Sequence, residues 1–169
     1  MAYTLDAFAA DCRAALKKDP GPAGREAVRK LVEKASLDAD FLAAHVRPDQ
    51  EKERNLLYED PELGFCILGH VYNGAKGSPP HDHGPSWAIY GQTYGVTEMT
   101  DWRIVEKAVD GQPGKAAKTR EYKLEPGMAH VYNEGDLHSP SRRSATRLIR
   151  IEGINLLGMK RDRYDAVEG

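Results

Sequence analysis

Apolar residues recur along the first third of the chain at helical spacing. Leu5, Phe8, Ala9, Cys12, Ala15 and Leu16 fall three or four apart, the signature of a helix over 4–18 with one buried face. Thr4 is placed to cap it, and Asp19-Pro20-Gly21-Pro22 stops it. Ala27, Val28, Leu31 and Val32 repeat the pattern over 23–35, and Asp38 opens a short third helix carrying Phe41 and Leu42 that ends by Pro48. From about residue 54 the period shortens. Arg54–Tyr58, Phe65–Tyr72, Ser86–Thr97, Asp101–Lys107, Thr119–Leu124, Met128–Tyr132 and Thr146–Ile154 are strand-like runs separated by Gly, Pro and Asn. Seven such runs predict a mainly β, antiparallel barrel or sandwich over 54–155, preceded by N-terminal α-helices within 1–50. Asp110–Gly114 reads as a turn, and the charged tail Lys160–Gly169 as surface.

Composition narrows the class. A chain of 169 residues is the size of one ordinary domain, so 1–169 is expected to be a single unit. The 24 Lys and Arg nearly balance 26 Asp and Glu, which implies no broad attraction to nucleic acid or to anionic lipid. No apolar run approaches a membrane span and the N-terminus has no leader pattern, so a cytoplasmic protein is expected, with a small molecule as its partner. Cys12 and Cys66 are too few for a disulfide framework and read as core thiols. Whether the chain is a monomer or a homodimer is open at this level.

The candidate chemistry lies in the histidines. Gly77-Ser-Pro-Pro-His81-Asp82-His83-Gly84 stands between two strand runs. On a strand, alternate residues share a face, so His81 and His83 can present two imidazoles to one point while Asp82 faces away. A third donor is available in Glu134-Gly135-Asp136-Leu137-His138-Ser139-Pro140, where a tight turn would aim His138 inward, or in Pro126-Gly127-Met128-Ala129-His130.

Together these segments resemble the two sequence motifs of the cupin superfamily over residues 54 to 154. That resemblance implies a double-stranded β-helix with metal ligands pointing into the barrel, and it aligns His138, within Gly-Asp-Leu-His, with the third ligand. Cupins commonly add a glutamate a few residues after the second histidine, but here those positions read Gly84, Pro85, Ser86, Trp87 and Ala88. Three imidazoles without a carboxylate resemble the thiol dioxygenases of the cysteine dioxygenase type. Arg54-Asn55-Leu56, 27 residues before His81, and Gly95, Glu98 and Asp101-Trp102 after it follow the spacing of that subgroup. Its implications are Fe(II) on His81, His83 and His138, a small thiol and O2 as partners, and a sulfinic acid as product. Three neutral donors leave the metal its full dipositive charge, which favours a substrate thiolate.

The same resemblance assigns Arg54 to a substrate carboxylate, which its planar fork suits; an ion pair with Glu51, Glu53 or Glu59 is the structural alternative. Tyr90 and Trp87 are expected to wall the cavity, or to be core. His70 is expected in a pocket wall or in the core, and Glu98 beside a ligand imidazole or in solvent. The last core strand, 145–155, carries no His or Tyr where the subgroup has both, leaving Arg147, Arg150 or Glu152 to face the pocket. Two other functions fit the same histidines: a Zn, Ni or Mn centre for non-redox chemistry, or a non-catalytic cupin that binds a small ligand.

Overall fold

The computed structural model describes residues 2–168; Met1 and Gly169, the ends of the expected unit, lie outside the described residues. Three helices come first: α1 (Leu5–Lys18), α2 (Pro22–Ser36) and α3 (Ala39–His45). α1 and α3 begin at their expected caps, whereas α2 begins one residue early, on the Pro22 read as part of the stop. Thr4 Oγ1 accepts from the Ala7 N–H, Asp38 Oδ1 accepts from the Phe41 N–H, and Pro22 takes the first position of α2, where a missing N–H costs nothing.

Ten strands follow. They are β1 (Arg54–Glu59), β2 (Cys66–Tyr72), β3 (Lys76–Gly77), β4 (Ala88–Tyr94), β5 (Thr97–Glu106), β6 (Gly114–Leu124), β7 (Ala129–Tyr132), β8 (Leu137–Arg142), β9 (Thr146–Glu152) and β10 (Tyr164–Val167). Two five-stranded sheets result, ordered β1-β2-β9-β4-β7 and β10-β6-β5-β8-β3. Because successive strands pass back and forth between the sheets, the chain winds into the expected double-stranded β-helix of antiparallel strands. One pairing departs from that pattern: β10 runs parallel to β6. The end of the chain is therefore not simply a surface tail, since Tyr164 is buried with Ala116 and Leu137. β8 was hidden from the sequence pattern because Ser, Pro and Arg interrupt its apolar alternation. His138 accordingly sits on a strand, as the second residue of β8 after the turn expected to aim it inward.

The principal apolar core lies outside the barrel. Phe8, Cys12, Val28, Val32 and Phe41 of the helices pack on Ile67, Ile89, Val131, Ile149 and Ile151, the outward residues of the first sheet. Gly91 of β4 is where α2 comes closest: a Cβ there would meet Val32 Cγ1 at 2.3 Å. The inner faces of the two sheets share a smaller apolar cluster of Ala88, Tyr90, Met99, Leu124 and Tyr132. With the helices occupied on the outer face, the other inward positions of the first sheet are free to be polar. Arg150 and Glu152 of β9 and His70 of β2 stand there, all buried. Among the described residues no helix is long and apolar enough to cross a membrane.

Candidate metal centre

Backbone pairing brings the histidines together. The His81 N–H donates to the His138 carbonyl at 3.0 Å and the His138 N–H to the His81 carbonyl at 2.9 Å, an isolated two-residue bridge. The H-x-H is thus not a full strand. It leaves the bridge through a turn in which Asp82 Oδ1 accepts from the Gly84 N–H and Gly84 takes φ +60°, a conformation glycine adopts without strain.

Ligand-capable nitrogens of His81, His83 and His138 all lie within 4.8 Å of one another. His130 is not among them; its ring lies against Tyr122 and Tyr132. Two tautomers follow from hydrogen bonding, because a carbonyl can only accept. His81 Nδ1–H donates to the Pro79 carbonyl and His138 Nδ1–H to the Asp136 carbonyl, each at 2.9 Å. Both rings therefore turn a bare Nε2 toward the cluster, as metal-bound imidazoles do. His83 Nε2 stands 3.1 Å from His138 Nε2, while His83 Nδ1 is buried without a hydrogen-bond partner among the described residues. Nitrogens bound to one cation at roughly 2.0–2.1 Å would be separated by about this distance. The donor set therefore fits a divalent metal, and it contains no carboxylate.

Burial keeps the ligands neutral. It lowers the imidazole pKa of His81 to about 4 and holds those of His83 and His138 well below the usual value, where neighbouring histidines add to the effect. His83 and His138 are almost fully buried, whereas His81 is partly exposed and opens on a cavity of about 340 Å³. Tyr90 lines that cavity. Its hydroxyl lies 3.0 Å from His83 Nε2 and 3.3 Å from His138 Nε2, on the open side of the cluster. Tyr132 stacks on the His138 ring with centroids 4.0 Å apart and bonds to the Tyr122 hydroxyl, which donates to Asp101.

Trp87 is elsewhere. Strand alternation turns Ala88 and Tyr90 inward, so Trp87 faces out among the helix-side core residues, under the Arg25 guanidinium. It does not wall the cavity. Arg54 faces inward but outside the cavity lining, and Nη2 donates to Glu152 Oε2 at 3.0 Å and to Asn155 Oδ1 at 2.9 Å. In place of a substrate carboxylate it holds a buried protein carboxylate, from β9 and not from the nearby glutamates of its own segment. Glu98 pairs with Arg143 on the surface and touches no ligand ring. Of the three strand-145–155 residues, Arg150 and Glu152 turn inward, while Arg147 turns out over Tyr94.

Sequence reasoning missed Arg142. It is buried, lines the cavity, and lies over the Tyr72 ring at 4.5 Å. The signal was the strand period after His138, since residues 138, 140 and 142 share one face.

No family model matches the chain, and no curated protein matches it. Among solved structures it is similar to KdgF from Halomonas sp., at 15% identity and TM-score 0.43 over 59% of this chain and 74% of that one. It is similar to the cupin domain of Schizosaccharomyces pombe Cnp3, at 12% identity and TM-score 0.47 over 68% and 73% of the two chains. A further likeness is to a Klebsiella pneumoniae protein with a double-stranded β-helix domain, at 11% identity and TM-score 0.44 over 66% and 80%.

Proposed function

We propose that this chain is a mononuclear Fe(II) dioxygenase that converts the thiol of a small acid to a sulfinic acid. The observation that carries the reading is the donor set, three neutral imidazoles with no carboxylate among the clustered ligands. When bound, iron would supply the redox chemistry that O2 requires, whereas zinc at the same nitrogens would supply only Lewis acidity. The reaction balances without a further reductant. Both oxygen atoms end on sulfur, which loses four electrons to O2, and the proton remains with the acid produced.

The chain's own residues have definite tasks in this reading. His81, His83 and His138 offer Nε2, with the first and last held in that tautomer by the Pro79 and Asp136 carbonyls. Burial of His83 and His138 excludes water from the rear of the centre, so a substrate enters past His81. Tyr90 places its hydroxyl at the open side, where it can donate to an incoming anion or return a proton to it. Arg150 lies over the Tyr90 ring at 4.4 Å and fixes that side of the site.

Protein loaded with Fe(II) without air should change its absorption on addition of a thiol acid and then consume one O2 per thiol when air is admitted. Zinc-loaded protein should consume none. Cysteine, 3-mercaptopropionate, cysteamine and longer thiol acids form the panel. Oxygen uptake no faster than with free Fe(II) across that panel would sink the dioxygenase reading and favour non-redox or ligand-binding use of the centre.

A further inference from the structure

The protein carries a net charge of −2, yet the cavity beside His81 is strongly basic. Four arginines and Lys76 line it against one carboxylate, that of Asp162. Lys76 is paired with Glu53, and Arg150 has Glu152 at 3.7 Å. Arg142 differs. Only 4% of it is exposed, and its Nε and Nη2 have no hydrogen-bond partner among the described residues. A guanidinium cannot shed its charge, so a buried fork without an anion is a standing cost to the fold. Buried Arg25, by contrast, is matched by Glu134. Arg161 and Arg163 stand exposed at the mouth of the same cavity.

We propose that Arg142 anchors one anionic group of the substrate and that Arg161 and Arg163 receive a second, so that the cavity selects small acids with two anionic groups. Identifying this ligand as the substrate rests on the metal-centre reading above; the anion site itself does not. Arg142 and His138 share a face of β8 four residues apart, about 13 Å along the strand. Arg142 and His81 line the same cavity, so a molecule held on the arginine fork lies beside the histidine cluster. A cavity of about 340 Å³ is at the small end of ligand sites and suits such a molecule. Bidentate pairing with a carboxylate would satisfy Nε and an Nη together, the two donors of Arg142 now idle.

The test is calorimetric titration of metal-free and of zinc-loaded protein with succinate, acetate and the uncharged succinamide. Succinate should bind more tightly than acetate in both forms, and succinamide should not bind. Arg142→Gln should weaken succinate at least about tenfold, the loss expected for a charge-assisted hydrogen bond. Arg142→Lys, which keeps the charge without the fork, should recover only part of it. Arg161→Gln with Arg163→Gln, both on the surface, should weaken succinate and leave acetate unchanged. Thermal melts separate a binding role from a structural one: Arg142→Gln should melt no lower than the parent, because the cost of a buried charge with no anion among the described residues outweighs its contact with the Tyr72 ring. Unchanged succinate affinity in Arg142→Gln, no binding to the parent protein, or binding of succinamide as tight as succinate would each overturn the proposal. Neither iron nor O2 enters this experiment, so it can succeed where the oxygen-uptake test fails, and the reverse.

Discussion

At the scale of single residues, the centre depends on three nitrogens whose direction is set by backbone carbonyls. Replacing His81, His83 or His138 with Ala removes one of three donors and should abolish stoichiometric zinc binding, read by metal analysis after gel filtration. His130→Ala should keep the metal, since that ring lies among tyrosines and outside the cluster. Arg54 is held by structure where the motif suggested substrate. Arg54→Ala withdraws a charge-assisted bond from the buried Glu152 carboxylate and should cost about 1.5–3 kcal/mol of unfolding free energy with metal content unchanged. Urea unfolding decides it: undiminished stability with weakened binding of a thiol acid would return Arg54 to the substrate.

At the scale of elements, the first sheet has two unlike faces, and the difference follows from its strand period. Along β9, Ile149 and Ile151 face the helices while Leu148, Arg150 and Glu152 face the barrel. The helices thus complete the main apolar core from outside, leaving part of the barrel interior, beside its smaller apolar cluster, for charge. That arrangement needs α2 close to β4, which Gly91 permits. Gly91→Ala places a methyl 2.3 Å from Val32 Cγ1 and 2.9 Å from Ser36 Oγ, and overpacking of this kind should destabilise by about 1–3 kcal/mol. Denaturant midpoints of parent and variant would show it; an unshifted midpoint would mean that α2 moves away freely. Since the histidine centre is on the opposite face, zinc affinity of the folded variant should be preserved.

At the scale of the molecule, the buried basic interior makes stability depend on pH. His70 is buried with Nδ1 on the Tyr72 hydroxyl at 3.0 Å and Nε2 without a partner among the described residues, and burial, reinforced by Arg150, Arg54, Arg142 and Lys76, holds its pKa well below the usual value. The unfolded chain takes up a proton at about pH 6.5 while the folded chain does not. Below that pH the unfolded state binds more protons, so stability is fully present above it and falls as pH falls. His70→Phe should therefore flatten the decline between pH 6.5 and 5 in metal-free protein by up to about 1.4 kcal/mol per pH unit, the slope of one proton. Unfolding curves at the two pH values check this, and an identical decline in both proteins would show that His70 is protonated in the native state.

Local chemistry made much of this legible in advance. Helix periodicity and the Thr4 and Asp38 caps are encoded within a few residues, and so are the seven strand runs and the H-x-H pair, because each is decided by near neighbours. The missing carboxylate after His83 was equally plain. Other features depended on which strands meet. β8 and β10 have too little apolar alternation to declare themselves and exist through pairing with β5 and β6. The inward turn of Tyr90 and outward turn of Trp87 follow from one register, which the sequence leaves free to slip by a residue. Arg54 found its partner 98 residues away, on a strand no local rule connects to it. The net charge near zero concealed a basic cavity, because composition counts charges without placing them. The sequence by itself determined the helices, seven of the strands and the ligand types, because these rest on local periodicity; long-range strand pairing alone decided the remaining strands and which charges share an interior.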